Sequence, residues 1–497
     1  MKVGQMPGGK RARKGGKRAK GKRGGKGEGG SALEKKLLLR ERMGWEGLKR
    51  GEERAILEFA EGYKAFLTEG KSLREVARAI VAAARAAGFR ELGTAKRART
   101  GARLYTINRG KGVALAVIGK RPITEGALII ASHIDAPRLD LKQKPLYEDG
   151  VTHLALFKTH YYGGIKKYQW VNHPMSLHGT ASLQDGQTVD FAIGEREGDP
   201  VFTVPDLLPH LWGKSQATRK ADETVKGEEL NLIVGSRPVD DKKAKEKVKL
   251  LVLDHLNREY GLVEEDLISA EVEAVPAGPA RDVGFDRSMV GAYGQDDRSC
   301  AYTAMRALLG TKEPDRTCIA MFVDKEEIGS ESNTSMKSRF FLNFVGDLMA
   351  LQDPAYRESD LRRAMSRSKC LSADVNAALD PTFKDVHEAQ NAALLGRGVT
   401  ITKYTGSGGK YNANDATAEY VGEVRRLFNK AGVRWQYGAL GKVDEGGGGT
   451  VAKFLAEFDM DVVDIGPALL SMHSPFELSS KADIYHTHKA FAAFYGM

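Results

Sequence analysis

Cysteine is almost missing from this chain: Cys300, Cys318 and Cys370 are the only three in 497 residues. Three scattered thiols supply neither a disulfide framework nor a thiolate zinc site, so a reducing compartment fits best. Long apolar runs are missing as well. No segment approaches the ~18 residues that a membrane helix needs, and the basic start of the chain lacks the apolar stretch of a secretory signal. A cytoplasmic protein without a membrane partner is expected. The Gly-rich stretches TKYTGSGGKY and GKVDEGGGG lack the GxxxxGK[ST] spacing of a phosphate loop, which argues against nucleotide binding.

Positive charge is abundant but confined. The formal net charge is +11, and Met1 to Gly30 alone holds eleven Lys/Arg against one Glu, leaving about +1 for the other 467 residues. This Gly/Lys/Arg tail has no apolar face to bury and is expected to be disordered. It reads either as a solubility tail or as a weak tether for polyanions through counterion release. No aromatic residue is interleaved to stack on bases.

At 41% apolar composition the remaining chain can bury a large core divided into more than one unit. From Ser31 to Gly88, Leu33, Leu37, Leu38 and Leu39, then Ile56, Leu57 and Phe59, then Val76, Ile80 and Val81 recur at helical spacing, and these helices are expected to cover one face of a sheet. Short β-like runs follow: LYTIN, VALAVIG and ALIIASH. Residues 142–283 differ in texture, with many prolines, the cluster YYGGIKKYQW and a charged stretch from Lys214 to Lys249, and read as an inserted domain. The first part of the main domain is then 31–141 and the second 284–497, after a tail of 1–30. In the second part, CIAMFV, the run ending in CLSADV, and MDVVDIG alternate with helix-like segments. That alternation predicts an α/β fold around a buried, largely parallel sheet.

The acidic and imidazole residues fall at the ends of these runs. ALIIAS leads into His133-Ile134-Asp135, CIAMFV into Asp324-Lys325-Glu326-Glu327, CLSA into Asp374, and MDVVDIG is followed by His473. The carboxyl edge of an α/β sheet is where ligands bind. One such residue alone is more often a structural hydrogen-bonding group, and adjacent glutamates usually open a solvated helix. The whole set, with the Asp296-Asp297 pair, points to a metal site, because buried unpaired carboxylates are costly and divalent cations neutralise them. His486 and His488, and His160, His173 and His178 in the insert, read as structural.

The segments ASHIDAPRLDLK, GQDDRSCAYTA, VDKEEIGS, LSADVNAALDP and LLSMHSPFELSS resemble, in order and spacing, the five metal-site motifs of the aspartyl aminopeptidase and aminopeptidase I family. The resemblance runs along nearly all of 31–497. It implies a three-layer zinc-peptidase fold, with a central mixed, largely parallel sheet between helices and an inserted β-rich dimerisation domain at 142–283. It implies a metalloaminopeptidase that releases N-terminal residues from peptides, with two zinc ions per subunit; cobalt and manganese suit the same ligands. Position by position, Asp296 bridges the pair, His133 and Asp374 serve one metal, and Glu327 and His473 the other. Asp135 orients His133 from behind, and Glu326 is the general base that takes the proton of the attacking water.

The resemblance also implies a homo-oligomer, with dimers assembled into a tetrahedral dodecamer whose active sites face an inner chamber. His210, in Pro209-His210-Leu211, looks like the histidine that reaches the neighbouring subunit's site. Lys403 is the nearest candidate for reading an acidic substrate side chain, but Lys410-Tyr411 stands where acid-reading members carry Arg-Tyr, so acidic and neutral specificities both stay open. Tyr411 and Asp444 fall in candidate substrate loops. The rival readings are a di-metal amidohydrolase of another kind, a deacylase or carboxypeptidase, and a non-catalytic assembly protein with a polyanion-binding tail.

Overall fold

The computed structural model describes residues 31–39 and 42–497, so the expected basic tail, 1–30, lies outside the described residues. The chain divides into two compact units, one ending at Glu41 and the other running from Arg42 to Met497. In the first, the helix Ala32–Leu37 starts with a capping box, in which the Ser31 hydroxyl accepts from the Glu34 main chain and the Glu34 carboxylate accepts from that of Ser31. Helical spacing does not bury this element: Leu33, Leu37, Leu38 and Leu39 are all exposed.

The second unit is built on a nine-stranded mixed sheet. In spatial order its strands are Arg90–Glu91, Arg103–Asn108, Gly112–Val117, Cys318–Val323, Leu128–His133, Lys369–Ala373, Asp461–Gly466, Val399–Thr402 and Trp435–Tyr437. Every residue of Gly112–Val117, Leu128–His133 and Cys318–Val323 is buried. Strands covered on both faces need apolar residues at successive positions rather than alternate ones. Alternate side chains feed two cores. Leu115, Ile130, Phe322, Leu371 and Val463 join the helices Glu52–Glu69, Leu73–Ala86, Gln295–Gly310, Ala418–Ala431 and Lys481–Tyr495, whereas Ala116, Ile129, Met321, Cys370 and Val462 join Phe340–Gln352, Glu358–Ser366 and Ala452–Ala456.

The helix Leu73–Ala86 shows how the sequence makes such a layer. Ser72 and Glu75 form its capping box, and Leu73, Val76, Ala77, Ile80, Val81 and Ala84 make one buried stripe. Each large side chain there contributes roughly 1.5–3 kcal/mol by leaving water. On the helix Lys481–Tyr495, His488 stacks on Phe59 at 4.6 Å between ring centroids, and Nδ1 of His486 accepts from the Arg434 main chain. Burial drives their pKa values down to about 4 and about 3, as suits neutral core histidines.

A second, wholly antiparallel sheet comes from residues 138–276, in the order Thr188–Ile193, Met175–Ser182, Glu271–Pro276, Arg138–Glu148, Ala155–Tyr162 and Asn231–Gly235. It has its own core, where Leu139, Phe157, Trp170, Leu177 and Val272 pack with the helix Lys247–Tyr260. A five-stranded sheet that includes Glu477–Ser480 and a two-residue ladder between Gly406–Ser407 and Gly447–Gly448 complete the framework. The four strands Cys318–Val323, Leu128–His133, Lys369–Ala373 and Asp461–Gly466 are adjacent and parallel, so their carboxyl ends open onto one edge.

Candidate metal centre

His133 is the last residue of the strand Leu128–His133. Its Nδ1 lies 3.0 Å from the Asp135 carbonyl oxygen and 3.3 Å from the Asp135 carboxylate. With a proton on Nδ1, the lone pair of Nε2 is aimed at Oδ1 of Asp296, 3.3 Å away. The other oxygen, Oδ2 of Asp296, lies 3.1 Å from Nε2 of His473, which is also 3.3 Å from Oε2 of Glu327. Nδ1 of His473 donates to the Gly164 carbonyl at 2.7 Å. Both imidazoles are thus fixed from behind, each presenting Nε2 to a different oxygen of one carboxylate. A lone pair facing a carboxylate oxygen at such a distance is repulsive unless a proton or a cation sits between them.

The electrostatics of the cluster describe the same need. Burial, then neighbouring carboxylates, pushes Asp297, Glu327 and Asp374 well above the ordinary carboxyl range. Glu326 is pushed up to about 7, with burial the largest cause. Asp296 is lowered, as is Asp135 behind His133: burial opposes the Asp296 charge, but hydrogen bonds from His133 and His473 outweigh it. Burial likewise opposes the charged form of His473, yet Asp296 and Glu327 raise it to about 10. Both carboxylate oxygens of Asp297 and Oε1 of Glu327 are buried with no hydrogen-bond partner among the described residues. Two sets of ligand atoms, from His133, Asp296 and Glu327 and from His133, Asp297 and Asp374, each lie within 4.8 Å of one another. Imidazole and carboxylate donors around orphaned anionic oxygens fit a borderline divalent cation such as zinc.

A ring of supporting contacts holds these groups. Asp135 accepts from the Glu326 main chain at 3.2 Å, from that of Glu327 at 3.3 Å, and from the Tyr162 phenol at 2.7 Å. Burial, then the Asp135 charge, pushes that phenol far above its usual pKa, so it remains a donor. Glu477 accepts from the His473 main chain at 2.7 Å through Oε1 and from that of Asp296 at 3.1 Å through Oε2. In the sequence, Asp297 has a place in the acidic pair but no ligand role of its own, and Glu477, Tyr162 and Gly164 have no role at all. Asp297 stood in plain view beside Asp296, and Glu477 lies four residues after His473, but only the folded chain brings Tyr162 and Gly164 here.

His133, Asp296, Glu326, Glu327, Asp374 and His473 line one cavity of about 420 Å³, together with Thr402, Leu440, Gly448, Thr450 and Lys453. The expected substrate contacts do not line it. Lys403 and Lys410 both pair with Asp415, at 2.6 and 2.8 Å, while His210, Tyr411 and Asp444 are exposed. The loops carrying Lys403 and Asp444 do reach the cavity, through Thr402 and Thr405 and through Leu440 and Gly447.

A family model described as aminopeptidase I zinc metalloprotease (M18) matches residues 66–495. A probable M18 family aminopeptidase 1 from Clostridium acetobutylicum is 48% identical over 462 residues, covering 92% of this chain and 98% of that protein. The crystal structure of an M18 family aminopeptidase from Thermotoga maritima superposes with a TM-score of 0.88 at 45% identity, covering 92% of this chain and 99% of its own. The S. cerevisiae mApe1 dodecamer is similar in fold, with a TM-score of 0.70 at 22% identity over 89% of this chain and 97% of that one.

Proposed function

The chain belongs to the M18 aminopeptidase I zinc metalloprotease family and is a zinc aminopeptidase, and on that premise we propose that two zinc ions are held by His133, Asp296, Glu327, Asp374 and His473. The observation that carries this reading is the division of Asp296, one oxygen toward each imidazole. Cobalt and manganese suit the same donors. When bound, zinc acidifies water and polarises the scissile carbonyl.

Glu326 is assigned as the general base. Its carboxyl, raised by burial to about 7, takes a proton from the attacking water and returns it to the leaving amine, and a pKa near the working pH suits both transfers. Asp135 holds the main chain of Glu326 and Glu327 and the tautomer of His133. The acidic end of the cavity favours the free α-amine that only an N-terminal residue offers. Glu326→Gln is expected to lower turnover of an aminoacyl-p-nitroanilide roughly 10²–10⁴-fold with zinc content unchanged, and Asp296→Ala to lose zinc. Near-normal turnover in the Gln variant would refute the base assignment.

The helical cores on either side of the nine-stranded sheet support reading it as a three-layer peptidase domain, with 142–283 as an inserted dimerisation domain. Homo-oligomers built from such dimers, up to a dodecamer, belong to the same proposal, and light scattering on the full chain reads the state directly. His210, exposed here, is assigned to the neighbouring subunit's site, and Lys403, Tyr411 and Asp444 to the rim loops that meet the substrate. Among the described residues no helix is long and apolar enough to cross a membrane. Three buried free thiols are in keeping with a cytoplasmic location.

A further inference from the structure

Two of the contacts that fix the catalytic groups come from the second sheet, at the end of a single strand. Tyr162 closes the strand Ala155–Tyr162, and Gly164 follows two residues later. The Tyr162 ring is 6% exposed and pairs across the sheet with Arg138, whose guanidinium lies 3.8 Å from the ring centroid. Arg138 is itself anchored, with Nε 2.7 Å from Asp140 and 3.6 Å from Glu273. The ring therefore has little freedom, and its phenol donates to Oδ2 of Asp135 at 2.7 Å. At Gly163, φ is +77°, and a Cβ would come within 3.4 Å of Oε2 of Glu327. The strand end thus passes directly behind the metal-facing groups.

Asp135 is the junction. It accepts from both Glu326 and Glu327, and it faces His133 through two oxygens. Without the phenol, Oδ2 would keep only the long 3.3 Å contact to the Glu327 main chain. A buried carboxylate that loses its shortest donor is both less stable as an anion and freer to rotate.

Resting on the two-zinc reading above, we propose that Tyr162 is a positioning residue of the catalytic centre: its phenol fixes Asp135 and, through it, His133 and the Glu326-Glu327 main chain. The second sheet is then part of the active site as well as a candidate interface. Gly164, which sets the tautomer of His473 from the same strand end, acts alongside it.

Tyr162→Phe tests this, because it keeps the ring and the Arg138 stack and removes only the donor. Zinc affinity is measured by competition with a chromogenic chelator, and kcat and KM separately at saturating zinc on an aminoacyl-p-nitroanilide. Outer-sphere partners of this kind are worth roughly 10–100-fold in affinity or activity, so at least a fivefold loss in zinc affinity or kcat is expected. The same substitution is then made in an Asp135→Asn background, where its effect should vanish. Both quantities changing less than fivefold in Tyr162→Phe, or effects that multiply fully with those of Asp135→Asn, would overturn the proposal. Failure of the two-zinc reading is distinguishable: the wild-type chain would then not bind two equivalents of zinc.

Discussion

Asp296 is the one proposed ligand carboxylate whose ionised form the fold favours, and its two oxygens divide the histidines between them. The placing of Asp374, on the same edge, depends on a neighbour with no side chain at all. Gly466, at the end of the strand Asp461–Gly466, lies so close to the adjacent strand that a Cβ there would overlap the Asp374 carbonyl and stand 2.9 Å from Sγ of Cys300. The obstacle is backbone, which a rotamer change cannot relieve. Gly466→Ala must therefore push back the chain that presents Asp374. A loss of ~1–3 kcal/mol in unfolding free energy is expected from overpacking, together with weaker zinc binding. Denaturant unfolding and a zinc titration check the two effects, and an unchanged zinc affinity would mean that Asp374 tolerates the shift.

Between elements, the helix Leu73–Ala86 and the second sheet share a buried ionic group. His178, on the strand Met175–Ser182, sits 2.9 Å from Glu75 in the first turn of the helix and 3.2 Å from Glu195, while Nζ of Lys71 donates to the Pro276 and Gly278 carbonyls. Burial opposes the imidazolium, but the two glutamates outweigh it and raise the His178 pKa to about 9. Because the folded value lies above the ordinary ~6.5, the stabilisation is fully present below ~6.5 and is lost as pH rises through about 9. His178→Gln should therefore lower stability by a few kcal/mol at pH ~6, and urea unfolding should show the deficit shrinking by pH ~9.5. A deficit that grows with pH would reverse the sign of the argument. In the sequence His178 read as structural, yet nothing local named its partners, which are brought together only by folding. The central strands were far more legible: CIAMFV is the strand Cys318–Val323 from end to end, because burial on both faces leaves a continuous apolar run. The candidate site residues that follow such runs could be picked out for the same reason, and the fold brings His133, Glu326, Glu327, Asp374 and His473 to one cavity. Tyr162 was not legible, since it acts by meeting a carboxylate from a remote segment, and such a meeting has no local signature. Glu477 stands near His473 in sequence, but its contact with the Asp296 main chain is equally remote. The helix Ala32–Leu37 marks the opposite limit, with periodic leucines that bury nothing.

For the whole molecule, the proposed ligation by the carboxylate cluster predicts a stability that depends on both metal and pH. Without a cation, Glu326 and Glu477 are raised to about 7 and about 8, mainly by burial, and Asp297, Glu327 and Asp374 are pushed up in the same direction. A group whose pKa is raised on folding contributes stability only while protonated, so the metal-free protein should weaken as pH rises from ~5 through 8. His473, raised to about 10, adds to the same trend. With zinc present the dependence reverses, because protons compete with the metal for these ligands and affinity increases with pH. Zinc at a thousandfold excess over its dissociation constant adds ~4 kcal/mol to the folded state. The difference in melting temperature between zinc-loaded and chelator-treated protein is therefore expected to widen steadily from pH ~5.5 to ~8.5. Calorimetry on both forms at four pH values reads this directly. A gap that stays constant or closes would mean that the buried carboxylates are neutralised by something other than a bound cation, and the metal centre would have to be placed elsewhere in the chain.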